Sequence, residues 1–204
     1  MARNHSDGDD RARQLLAQEA ARIIVDHGIR DYRVAKTKAA GRLGLTARGS
    51  LPGNSEIEQA VNEHLLLFGG ESHADHLREM RAAAIAAMQM LAEFTPRLVG
   101  SVLSGIADEN SAVNLHVFAD SPEAIAIFLA NRGISCRSYE RRLKSRRGRS
   151  VNPDIFAGFE FEHFGESIEA TVFPIDGIRQ APISPIDGRP IKRADQKTVQ
   201  ALLD

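Results

Sequence analysis

The sequence predicts an α/β (α+β) fold in which a helical N-terminal region precedes a small mixed-sheet core with helices on one side. Two observations predict it. Apolar residues recur every three or four positions through residues 11–95, whereas short runs of strand length follow in residues 96–180. Residues 1–10 are polar and acidic and are expected to be disordered. Residues 181–204 form a Pro-rich basic tail that ends in a short helix.

The composition excludes several classes of protein. Of the 204 residues, 43% are hydrophobic and 26% charged, which is typical of a globular domain. The 26 basic and 27 acidic residues give a net charge of −1, which excludes a bulk polycation that coats nucleic acid. The single Cys136 excludes a disulfide framework and a cysteine-based zinc site. With neither an apolar leader nor roughly 18 consecutive apolar residues, a cytoplasmic protein without membrane contact is expected.

Helix start and stop signals divide the first region into four helices. Gly28, Gly44 and the pair at 69–70 end successive apolar periods. Asn54 or Ser55 is predicted to cap the third helix, since Ser55 is followed three residues later by Glu58, as in a capping box. The predicted helices cover residues 11–27, 32–43, 55–68 and 73–94.

The second region changes period at Pro96. One helix, residues 122–131, is stopped by Gly133, and a long hairpin follows it. The order strand, helix, strand and hairpin predicts a mixed sheet. The predicted strands cover residues 97–102, 113–118, 157–164 and 167–173.

A Gly-Ser turn after the first of these strands carries the main functional motif. Residues 98–105 read Leu-Val-Gly-Ser-Val-Leu-Ser-Gly, and residues 110–118 read Asn-Ser-Ala-Val-Asn-Leu-His-Val-Phe. This pattern resembles the DNA polymerase β-type nucleotidyltransferase superfamily, whose signature is an apolar-Gly-Ser turn, a second Gly, and Ser-Asp-x-Asp-Leu on the next strand. The resemblance implies that the turn binds a triphosphate, since glycine lets backbone N–H groups approach phosphate oxygens.

The chain departs from that family at the paired aspartates. In the family these residues, about 6.6–6.8 Å apart on one strand face, hold two Mg²⁺ ions. Ala112 and Asn114 stand at the two positions, so one ligand is absent and the other is neutral. His116 follows on the same face, and imidazole suits Mg²⁺ poorly. The resemblance implies a third acid on a later strand, for which Glu169 is the candidate; the alternative is a solvated strand glutamate.

The resemblance therefore implies a degenerate nucleotidyltransferase-like protein that binds a nucleotide or an RNA phosphate backbone without a metal. The alternative is an active Mg²⁺-dependent enzyme that transfers a nucleotidyl group from a nucleoside triphosphate to an unknown acceptor, with Glu169 as a catalytic residue. A third possibility is a structural protein that binds a protein partner or itself through the helical region. The nucleotide-binding candidates are Gly100, Ser101, Gly105, Ser111, Asn114 and His116.

A basic segment forms a second candidate site. Residues 137–149 contain seven basic residues and one acid, and residues 144–150 are expected to form the loop of a β-hairpin. Such a segment is typical either of a contact with phosphate or the RNA backbone, or of a solvated hairpin. The phosphate- or RNA-binding candidates are Arg141, Arg142, Lys144, Arg146 and Arg147.

Overall fold

The computed structural model describes residues 3–29, 31–44, 51–144 and 153–203. The chain divides into two compact units, Met1–Ala74 and Asp75–Asp204. Within the described residues lie seven α-helices and a five-stranded mixed sheet, so the predicted α/β class is confirmed.

The first unit is helical. Its helices are α1 (Arg3–His27), α2 (Tyr32–Leu43) and α3 (Asn54–Phe68), and α1 packs against both of the others. Helix α1 begins at Arg3, so residues 3–10 are helical where the composition predicts disorder. Once a helix is nucleated by its apolar stripe, each further residue adds a hydrogen bond, and a polar segment can extend it.

Capping interactions set the starts of α2 and α3. The Asp31 carboxylate accepts a hydrogen bond from the Arg33 backbone N–H at 2.8 Å. The Glu56 carboxylate accepts from the Gly53 N–H at 2.6 Å and also pairs with Arg13 of α1. The N-cap of α3 is therefore Gly53, one residue before Asn54 and two before Ser55, the two caps that the sequence predicts.

The second unit contains the sheet. The strands are β1 (Arg97–Val99), β2 (Val113–Phe118), β3 (Arg137–Leu143), β4 (Asp154–His163) and β5 (Glu166–Phe173). Their order in the sheet is β1-β2-β5-β4-β3, in which β2 and β5 are parallel and the other neighbours antiparallel. The remaining helices are α4 (Gly70–Met90), whose residues 70–74 belong to the first unit, α5 (Ser101–Ser104), α6 (Pro122–Asn131) and α7 (Gln196–Gln200).

The sheet has two unlike faces because successive strand residues point to opposite sides. On one face Val113, Leu115 and Val117 are fully buried in a core that also contains Met88 of α4 and Leu129 of α6. We call the opposite side the polar face; it carries Asn114 and His116 of β2 with their partners on the other strands. The tail crosses the edge of the sheet, where residues 98 and 194 form an antiparallel bridge.

Candidate functional site

A row of polar residues crosses four strands of the polar face. Asn114 lies opposite Glu169, Glu169 lies opposite Glu160, and Glu160 lies opposite Arg137. Residues directly opposite one another share a face and have Cβ atoms about 4.5–5.5 Å apart. Arg137 Nε donates to Glu160 Oε2 at 3.1 Å. The register therefore places the two sequence candidates Asn114 and Glu169 side by side, and we call these four residues the charged row.

One guanidinium joins the two candidates. Arg141 Nη1 donates to Asn114 Oδ1 at 2.7 Å, and Nη2 donates to Glu169 Oε2. The side chains of Arg141 and Glu169 are 31% and 27% exposed, so the pair is within reach of a ligand. The result is a fixed cation that lies across β2 and β5 at the centre of the polar face.

A tyrosine ring lies beneath this guanidinium. Gly158 of β4 leaves room for Tyr139, because a Cβ on Gly158 would lie 2.2 Å from the Tyr139 Cζ. The Tyr139 hydroxyl lies 2.9 Å from Thr171 Oγ1 on β5. Arg141 Cζ is 5.3 Å from the centroid of the ring, within cation–π range. Burial raises the pKa of the Tyr139 phenol, which keeps the ring neutral beneath the cation.

The Gly-Ser turn runs directly beside Asn114. Gly100 has φ +77° and ψ −154°, a backbone conformation essentially confined to glycine. A Cβ on Gly100 would lie 3.6 Å from Asn114 Cβ. Ser101 begins α5, and Gly105 ends it with φ +87° and an N–H that donates to the Ser101 carbonyl at 2.8 Å. Gly100 and Ser101 thus lie next to the charged row, and Gly105 shapes the turn that follows.

Two of the predicted nucleotide-binding residues have other roles. Ser111 Oγ donates to Asp108 Oδ1 at 2.7 Å and accepts from the Asp108 N–H, so its hydroxyl stabilises the turn before β2. His116 is only 1% exposed, and its Nδ1 accepts from Arg193 Nε at 3.0 Å. Burial, together with the charges of Arg193 and Arg141, lowers the pKa of His116 to about 3. The ring of His116 is therefore neutral and enclosed in this structure, and its binding of nucleotide stays a prediction.

Arg193 is a half-buried arginine, with its Nη2 fully enclosed, that sequence reasoning did not single out. Its Nη1 donates to the Gly177 carbonyl at 2.8 Å, and its Cζ lies 5.0 and 4.9 Å from the ring centroids of Phe118 and Phe173. Burial, followed by the charge of Arg97, lowers the pKa of Arg193 to about 10. Because its contact with β2 joins positions 77 residues apart, no local pattern in the tail could indicate it.

The described part of the basic segment, residues 137–144, does not place its candidate residues on one surface. Arg141 and Arg142 are consecutive strand residues and point to opposite faces; Arg142 is exposed and pairs with Ile155. Lys144 is exposed at the end of β3, and its carbonyl accepts from the Ile183 N–H. Arg146 and Arg147 lie outside the described residues. Among the described candidates of this segment, Arg141 is the one that joins the charged row.

The residues at the implied metal site do not fit Mg²⁺, which requires hard anionic oxygen ligands. Ala112 supplies no side-chain ligand, and its carbonyl accepts from Asn114 Nδ2 at 2.9 Å. The Asn114 Oδ1 and the Glu169 carboxylate both accept hydrogen bonds from Arg141. Across residues 3–29, 31–44, 51–144 and 153–203, no group of three or more His, Cys, Asp or Glu side chains could hold a metal.

Comparison with family models, curated proteins and solved structures gave no match to this chain. The helices within the described ranges include none long and apolar enough to span a membrane.

Proposed function

We propose that this chain is a catalytically degenerate nucleotidyltransferase-like protein that binds the phosphate groups of a nucleotide on its polar face. The observation that carries the proposal is the meeting of the Gly100 turn, Asn114 and Glu169 around the Arg141 guanidinium. These residues come from β1, β2, β3 and β5 or the turns beside them, and the β2–β5 register aligns the two that the resemblance singles out.

The chemistry of Arg141 supports a phosphate ligand. A guanidinium has five N–H donors, and its contacts with described residues use one on each terminal nitrogen. The remaining donors can form the paired hydrogen bonds that make arginine a strong phosphate ligand. The absence of a side chain at Gly100 lets an anion approach the backbone from the neighbouring turn.

The same contacts support a degenerate site over an active one. Glu169, the third acid that the resemblance implies, is paired with Arg141. Position 112 has no acid, and the carbonyl oxygen of Asn114 already accepts a hydrogen bond. Metal-assisted transfer relies on two closely spaced cations that stabilise the attacking and leaving oxygens, and this set of ligands does not supply their sites.

Calorimetric titration with each of the four nucleoside triphosphates tests the proposal on three proteins: the wild type, Arg141→Gln and Arg142→Gln. The two variants remove the same charge at adjacent positions on opposite faces of β3. We expect the wild type to bind, Arg141→Gln to bind at least about tenfold more weakly, and Arg142→Gln to match the wild type. A wild type that binds none of the four triphosphates, or an equal loss of affinity in both variants, would refute a nucleotide site on the polar face.

Two further assays separate the alternatives. Filter binding to a short RNA distinguishes an RNA backbone ligand, for which affinity falls steeply with salt and both arginine variants weaken binding alike. Transfer of label from α-labelled triphosphates in Mg²⁺, tested with a cell extract as the acceptor pool, distinguishes an active enzyme. Transfer that disappears in Glu169→Ala would establish the enzyme in place of the degenerate protein.

A further inference from the structure

The residues at the implied Mg²⁺ site do not fit the metal, and the positively charged Arg141 guanidinium lies at the same place, between Asn114 and Glu169. We propose that the Arg141 guanidinium takes the place of the metal, so that the polar face binds a nucleotide as its free anion and without a divalent cation. This inference rests on the proposed function, since it names the form of the ligand that the same site accepts.

The hydrogen bonds of Arg141 carry the inference. The oxygens that remain at the implied metal positions are Asn114 Oδ1 and the Glu169 carboxylate, and Arg141 donates to both. A metal ion bound to these oxygens would lie beside the guanidinium that already donates to both residues. The charge balance agrees: Glu169 and Arg141 cancel, whereas a divalent ion bound beside Arg141 would face one carboxylate and one like charge.

Packing holds the guanidinium in position before any ligand arrives. Tyr139 lies flat because position 158 is glycine, its hydroxyl lies against Thr171, and the Arg141 guanidinium is above the ring. A guanidinium stays protonated in proteins, so this cation is permanent. A site built in this way is ordered for an anion and requires no metal to order it.

The wild-type protein alone provides the primary test. Its affinity for adenosine triphosphate is measured by calorimetry twice, in excess EDTA and in excess MgCl₂. We expect affinities within about twofold of each other, or weaker binding with Mg²⁺ because the complexed nucleotide carries less negative charge. Binding that is tenfold or more tighter with Mg²⁺ would overturn the inference and leave the proposed function intact. Absence of binding in both buffers, for all four triphosphates, would instead refute the proposed function.

Two glutamate variants give a second test. Loss of the Glu169 charge should strengthen nucleotide binding if Arg141 replaces the metal, and should weaken it if Glu169 holds a metal. Glu169→Gln keeps an oxygen that can accept from Arg141 but removes a negative charge beside the ligand. We expect about fivefold tighter nucleotide binding in EDTA. Glu160→Gln is the matched control, because this carboxylate pairs with Arg137 one strand further away, and we expect less than a twofold change. Weaker binding by Glu169→Gln, with Glu160→Gln unchanged, would contradict the inference.

Discussion

Two neighbouring rows of the polar face differ in charge and in burial, although they lie only two residues apart on each strand. The charged row contains Arg137, Glu160, Glu169 and Asn114; Arg137 is exposed and the other three are partly exposed. The next row, which we call the neutral row, consists of Tyr139, Gly158, Thr171 and His116. Thr171 and His116 in it are buried. Tyr139 of the neutral row lies under the Arg141 guanidinium, which donates to Asn114 and Glu169 of the charged row.

The two arginines associated with these rows illustrate the same difference. Arg141 has a carboxylate partner and is 31% exposed, so it can meet a ligand. Arg193 donates to a neutral ring, His116, and to backbone carbonyls, and its Nη2 is buried without a hydrogen-bond partner among the described residues. We therefore expect Arg193 to stabilise the fold and Arg141 to bind the ligand, and the predictions below test that division.

Replacing Arg193 with alanine is expected to have the largest effect. The change leaves His116 Nδ1 and the Gly177 carbonyl without their donor and removes the packing against Phe118 and Phe173. We expect the free energy of unfolding to fall by about 3 kcal/mol. Urea denaturation measures it. Arg189→Ala, an exposed position in the same tail, is the control and should change stability by less than about 0.5 kcal/mol. An equal loss of unfolding free energy in the two variants would contradict the stabilising role of Arg193.

Gly158→Ala tests the support beneath Arg141. The new Cβ would lie 2.2 Å from Tyr139 Cζ, so the ring must leave its place and lose its contact with Thr171. We expect a loss of about 2 kcal/mol in unfolding free energy together with weaker nucleotide binding. Gly41→Ala is the control; its Cβ meets nothing within 4 Å in helix α2, and a gain of up to about 1 kcal/mol is expected. Unchanged stability in Gly158→Ala would refute the close contact.

The buried His116 makes stability depend on pH. Its pKa is lowered from 6.5 to about 3, mainly by burial, so folding favours the neutral ring. The stabilisation is complete above pH 6.5, where the unfolded ring is also neutral, and is lost as pH falls from 6.5 toward 3. We expect unfolding free energy to fall by about 1 kcal/mol per pH unit between pH 6.5 and 5.

Two histidine variants test this pH dependence, His116→Asn as the test and His163→Asn as the control. His116→Asn keeps an acceptor near Arg193 Nε and should flatten the pH profile, as urea denaturation at several pH values will show. His163 lies at the partly exposed end of β4, and burial lowers its pKa as well. His163→Asn should therefore reduce the slope of stability against pH by less than His116→Asn does. A profile that follows His163 and not His116 would contradict the assignment.

Local patterns in the sequence were enough to predict β2, α2 and α6 with their observed bounds, because alternation, helical period and glycine stops act within a few residues. The resemblance carried by residues 98–118, and not local pattern, singled out Asn114 and Glu169. The contact of Arg141 with Asn114 joins positions 27 residues apart and depends on the strand register. The burial of His116 depends on the tail. Gly158, a glycine inside a predicted strand, was the available signal of a close approach.

Arg141→Gln should have the smallest effect on stability although it has a large effect on binding. The Arg141–Glu169 pair is partly exposed, and such pairs contribute little because solvent screens both charges. We expect the unfolding free energy to change by less than about 0.5 kcal/mol in urea denaturation, against the loss of several kcal/mol expected for Arg193→Ala. A loss as large as that of Arg193→Ala would mean that Arg141, too, serves the fold. Stability that is retained while nucleotide affinity falls tenfold would assign Arg141 to the ligand, because a residue needed only for folding cannot separate the two measurements.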